Sequence, residues 1–164
     1  MFFKKSKAIK SALAAANPLI SNFKQFHEIP KGFWGDPYVL GFLNSVITFH
    51  AKGATNGNLS ATDMGTVSMK VYESLSGISG EEIGRKVAGY LSDGNIDYCL
   101  GFENGMKCVL IVHGKANAEL LNDPDVLKAQ AMAKDLKQGS VTSSALVGAL
   151  IYTLFCEVVE ERLI

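Results

Sequence analysis

Apolar residues recur along this chain at helical spacing, and the polar residues between them mark where helices begin and end. Val39, Leu43, Val46, Ile47 and His50 follow a three-to-four repeat behind Asp36-Pro37, a capping carboxylate with proline at the first helical position. A helix from there to about Lys52 is predicted. Met64, Val67, Val71 and Leu75 form the next stripe, with Ser60 and Asp63 resembling a capping box at its start and Gly77 as its stop. Ser79-Gly80-Glu81-Glu82 is a full capping box and opens a short helix with Ile83, Val87, Tyr90 and Leu91 on its face, ending near Gly94. Asp123-Pro124 repeats the start signal of Asp36-Pro37, and the helix it opens is expected to reach Gln138, with Gly139 as its stop. Upstream, Lys4 to Phe26 reads as a first helix that Pro18 breaks or kinks, or that gives way to a second helix begun by Asn17-Pro18.

Two segments need more than periodicity. Between Ile96 and Val112, Glu103-Asn104-Gly105-Met106 is a hairpin signal, since Asn-Gly suits a type I′ turn. Cys99, Phe102, Met106, Val109 and His113 nevertheless stand at helical spacing, and helix is preferred. Glycine already interrupts helical patterns at Gly41, Gly65, Gly84 and Gly148, where it costs up to about 1 kcal/mol relative to alanine and is tolerable if it lets helices approach closely. The last segment, Val141 to Ile164, is apolar on every face from Ala145 to Cys156, so protein or lipid must surround it. It falls short of the roughly 18–20 residues of a membrane span before Glu157 ends it. The expected fold is all-α: one domain of six to eight helices around a buried carboxyl-terminal helix, the alternative being α+β with one hairpin at about 97–112. The loop Ile29 to Gly35 carries Phe33 and Trp34, expected to cover the core.

Composition narrows the function. The 164 residues include 48% hydrophobic and 20% charged, ordinary globular values, and formal net charge is zero. Nucleic acid is therefore not an expected partner. The one local excess is Lys4, Lys5, Lys7 and Lys10, read as a basic, peripheral extension over residues 1–10 that could meet an anionic membrane surface. Lys10 interrupts the apolar stretch a secretory signal would need. Cys99, Cys108 and Cys156 are odd in number and lack Cys-x-x-Cys spacing, which predicts reduced structural thiols and a cytoplasmic setting.

Two turns share a composition. Asn56-Gly57-Asn58-Leu59-Ser60 and Asp93-Gly94-Asn95-Ile96-Asp97-Tyr98 each lie between helices. This order resembles the exit of an EF-hand-type calcium loop, and it is similar to the helix–turn–helix of the TerB-like family associated with tellurite resistance. The EF-hand resemblance implies oxygen ligands at the first, third, fifth and twelfth loop positions. Those positions hold Lys52, Ala54, Asn56 and Asp63 in one turn and Gly89, Leu91, Asp93 and Leu100 in the other, so no calcium binding is expected. Read from the residues alone, both are interhelical turns built on residues that accept a left-handed conformation.

No residue set qualifies as catalytic, cofactor-binding or metal-ligating. His27, His50 and His113 are not in His-x-x-x-His or Glu-x-x-His spacing; His50 and His113 end apolar stripes, as partly buried histidines near helix termini do. Cys99 or Cys108 with His113 would form a nucleophile pair only if the fold joined them. Glu157, Glu160 and Glu161 read as a solvated helix end, and glycine-rich phosphate loops are absent. The sequence yields no specific function; the expectation is a small helical protein acting through protein–protein contacts or self-association, with enzymatic activity undecided and not favoured. The alternatives are a membrane-peripheral protein and an enzyme or ligand carrier with an interhelical pocket at His50 or His113.

Overall fold

The helix with the most buried residues starts at Asp36, whose carboxylate accepts a 3.0 Å hydrogen bond from the Val39 amide with Pro37 in the first turn. In the computed structural model, which describes residues 2–135 and 143–164, this helix is α2, Pro37–Ala54. Before it come α1, Phe2–Phe26, and a 3₁₀ turn, Phe33–Gly35. After it follow α3 (Ala61–Ser76), α4 (Gly80–Ser92), α5 (Ile96–Val112), α6 (Ala118–Leu121) and α7 (Pro124–Asp135). The carboxyl-terminal helix, α8, has three parts: α-helical Ser143–Ile151, a π-helical turn Tyr152–Cys156, and α-helical Glu157–Leu163. The described residues thus form an all-α domain of eight helices with no strand.

The segment from Ile96 to Val112 is a single helix, and its glycines are packing devices. A β-carbon at Gly101 would collide with the Tyr38 carbonyl, one at Gly105 with Ser45 and the Phe42 backbone, and one at Gly41 with the Tyr98 carbonyl. The missing side chains let α2 and α5 lie backbone against backbone, with the loss of helix propensity offset by dispersion across the contact. Around this pair, α1 packs along α2 and α3, and α7 and the π turn of α8 close the far side. In α8, Leu150, Leu154 and Phe155 are fully or almost fully buried, whereas Ala145, Leu146 and Val147 are half-buried and Gly148 is exposed.

Several expectations change in detail. Pro18 does not break α1, which continues through it. Proline removes one backbone bond, but buried Ala12, Ala16, Leu19, Ile20 and Phe23 seat the helix on both sides of it. Residues 2–10 form the first turns of α1, where Ala8 is fully buried and Lys5 pairs with Asp63 at 2.7 Å. Asp63 holds that pair while its amide is capped by the Ser60 hydroxyl. The capping box at Ser79 is not formed, since the Ser79 side chain makes no cap bond. The start of α4 is fixed instead by Gly80 pressed against the Met69 backbone. The stop expected at Gln138-Gly139, and the start of the last helix at Val141, lie outside the described residues. No helix of the described residues is long and apolar enough to cross a membrane.

Candidate functional site

α3 turns the Val67–Val71 side of its stripe into the core, leaving Met64 and Leu75 half-buried. α4 leans on it at Gly80 and, further along, at Gly84, where a β-carbon would come within 3.1 Å of the Met69 side chain. Between α3, α4 and the middle of α2 this leaves a groove of about 390 Å³. Its walls are Met64, Met69, Val87, Ala88 and Leu91, and Asn44 and Tyr72 lie among its lining residues. Two of the polar groups there, Tyr72 and Asn44, are already engaged. The Tyr72 hydroxyl donates to the Leu40 carbonyl at 3.1 Å, and the Asn44 amide donates to the Tyr98 hydroxyl at 2.7 Å. Burial pushes the Tyr98 hydroxyl up to about 12 and holds Tyr72 well above its usual value. Neither phenol is poised to ionise near neutral pH, and the mostly apolar walls suit apolar matter.

Beside the groove stands an apolar edge. α4 ends in a Schellman turn: the Asn95 amide donates to the Tyr90 carbonyl, the Gly94 amide to the Leu91 carbonyl, and Gly94 has φ +61°. α5 then starts at once, capped by the Asn95 side chain on the Tyr98 amide at 2.9 Å. Leu91, at the groove, is 59% exposed; Ile96 and Leu100, one turn apart on α5, are 82% and 44% exposed. The Asn56-Gly57 turn is the same device at the end of α2, with Gly57 donating to the Lys52 carbonyl and Asn56 at φ +52°. Both turns singled out in the sequence are therefore helix stops.

The remaining candidates occupy other places. Cys108 is buried, which raises its thiol to about 12, and Cys156 is raised to about 11, mainly by burial. Cys99 is exposed near the start of α5, about 21 Å of helix away from His113, so no thiol–imidazole pair forms there. His50 and His113 do meet, with ring centres 5.1 Å apart. An imidazole–carboxylate contact occurs elsewhere, between His27 Nε2 and Glu160 Oε1 at 2.7 Å, beside an open surface hollow. Glu157 pairs with Lys128 at 2.6 Å, so two of the three terminal glutamates hold partners. Trp34 is half-buried with its ring edge-on to buried Phe33, consistent with core cover. A larger hollow, about 590 Å³ beside α5 and α6, is rimmed by Lys107, which pairs with Asp123 at 2.8 Å.

Sequence reasoning missed the part played by Arg162. Its guanidinium joins buried Asp36 at 3.2 Å to Asp97 at 2.9 Å and lies 5.7 Å from the Tyr38 ring centre. Beneath it the Tyr38 hydroxyl donates to the Leu154 carbonyl in the π turn at 2.5 Å and accepts from the Asn104 amide at 2.9 Å. Burial lifts that phenol to about 12. The helical periods place these residues on elements but carry no signal for contacts between positions 65 to 126 apart. No family model, curated protein or solved structure matches the chain.

Proposed function

We propose that this protein works by self-association, two copies pairing through the groove between α3 and α4 and the apolar edge next to it. The observation that carries the reading is the adjacency of an apolar groove and exposed apolar side chains across one three-residue turn. A surface that holds both a projection and a recess of matching chemistry is self-complementary. A two-fold axis lets Ile96 and Leu100 of each copy enter the groove of the other, which closes the assembly at two. Zero net charge imposes no long-range repulsion between copies. Charges of both signs line the groove, Glu81 and Arg85, so each copy can offer the other an opposite charge at the rim. Tyr72 and Asn44 in the groove already hold internal partners, so covering them leaves neither with a new unpaired donor.

Sedimentation velocity tests this over roughly 1–100 µM, a range in which an interface of about 800 Å² per partner is commonly populated. The wild-type chain is expected to pass from monomer to dimer. Ile96→Glu places a carboxylate on an exposed first-turn position of α5, where the helix end favours it, so folding is retained. That variant is expected to stay monomeric with an unchanged far-UV spectrum. A wild-type chain that remains monomeric throughout, or an Ile96→Glu variant that pairs as well as the wild type, would overturn the reading.

A further inference from the structure

We propose that His50 and His113 form a binding site for a divalent late first-row transition cation, of the zinc or nickel class, where α2 and α5 end together. The two imidazole centres are 5.1 Å apart. With metal–nitrogen bonds of about 2.0–2.1 Å each ring centre lies about 3.2 Å from the ion, so a tetrahedral angle sets the centres about 5.2 Å apart. The observed spacing matches that of two ligands of one ion. Among the hydrogen bonds of the described residues none uses a ring nitrogen of either histidine, so both rings keep nitrogen lone pairs for a cation.

The supports are rigid. His50 lies in the penultimate turn of α2, and its carbonyl accepts from the Ser11 hydroxyl of α1 at 3.3 Å. His113 caps α5, its amide donating to the Val109 carbonyl at 3.0 Å. The glycine contacts at Gly41, Gly101 and Gly105 fix the two helices to each other. Phe49 lies against both imidazoles, at 5.5 Å and 5.1 Å, and forms an apolar wall that keeps their orientation. Two helix carboxyl ends converge here, and their carbonyl dipoles favour a cation. The opposing charge is Lys115, whose ammonium lies 5.3 Å from the Phe49 ring centre. Among the described residues no third His, Cys, Asp or Glu completes the set. The site therefore supplies two protein ligands and leaves the other positions to solvent or to a small ligand. Imidazole donors select zinc and nickel over magnesium and calcium.

The experiment is isothermal titration of the full-length chain with Zn(II) and with Ni(II) at neutral pH, with the imidazole resonances followed by NMR. To keep the exposed thiol out of the readout, it is repeated on Cys99→Ser. One ion per chain is expected, with the His50 and His113 signals moving together and His27 unmoved. His113→Gln, at an exposed position, is expected to weaken binding at least tenfold with an unchanged melting temperature in the absence of metal. Lys115→Gln should bind as well as the wild type or better. Equal binding by His113→Gln, loss of binding in Cys99→Ser or Lys115→Gln, or no saturable binding by the wild type would each overturn the site.

Discussion

Gly105 and Gly148 are the same residue type inside helices, yet they answer different physical demands. At Gly105 a methyl group would strike Ser45 and the Phe42 backbone; at Gly148 nothing lies within 4 Å. Gly105→Ala is expected to force α5 off α2 and lower stability by about 1–3 kcal/mol, a typical overpacking cost. Gly148→Ala, on an exposed helical position, should raise stability by about 0.5–1 kcal/mol through helix propensity alone. Urea unfolding of both variants checks the pair, and equal effects in one direction would contradict the packing account. The contrast also explains what a sequence conceals. Asn104-Gly105 has the local chemistry of a hairpin turn, and only the facing backbone of α2 explains its presence in a helix. Asp36-Pro37 was legible because a cap and the amide it serves lie three residues apart.

Among the elements, α8 is seated by the buried side chains Leu150, Leu154, Phe155 and Val159, and charges near its end tie it to other parts of the chain. Arg162 reaches Asp36 and Asp97, Glu160 reaches His27, and Glu157 reaches Lys128. The hydrogen bond from Arg162 holds the Asp97 carboxyl below its ordinary value of 3.8. A carboxyl depressed by folding stabilises the native state at pH above its unfolded value, and that contribution is lost as pH falls through the lower folded value. Wild type is therefore expected to melt higher than Arg162→Gln at pH 7, by an amount on the order of 1 kcal/mol, as partly exposed pairs provide. The gap should narrow as pH falls below 3.8, the ordinary value. Thermal melts of both proteins between neutral and strongly acid pH measure it; a constant gap would assign Arg162 a packing role over Tyr38 instead. The apolar run in α8 was visible in the sequence, but these partners were not. They depend on how the ends of the chain are brought together, which no local period records. His50 and His113 were legible as residues at helix ends, and their meeting depends on the α2–α5 crossing.

For the molecule as a whole, pairing and stability are linked. If two native copies associate and unfolded chains do not, each tenfold rise in concentration adds about 1.4 kcal/mol per dimer. The melting temperature of the wild type should then climb by a few degrees per decade of concentration, and that of Ile96→Glu should stay flat. A flat wild-type curve would place the groove among surfaces that are not covered by a second copy. The π turn Tyr152–Cys156 bears on the whole molecule in another way. The Glu157 amide reaches back five residues to the Tyr152 carbonyl, so one extra residue is wound into the helix there. At 3.6 residues per turn, that residue shifts everything after it by about 100°. In an uninterrupted α-helix, Glu157, Glu160 and Arg162 would point about a quarter turn away from Lys128, His27 and Asp36. The π turn is thus a phase correction: it clocks the final seven helical residues so that three charges from one short stretch meet partners on four separate parts of the chain.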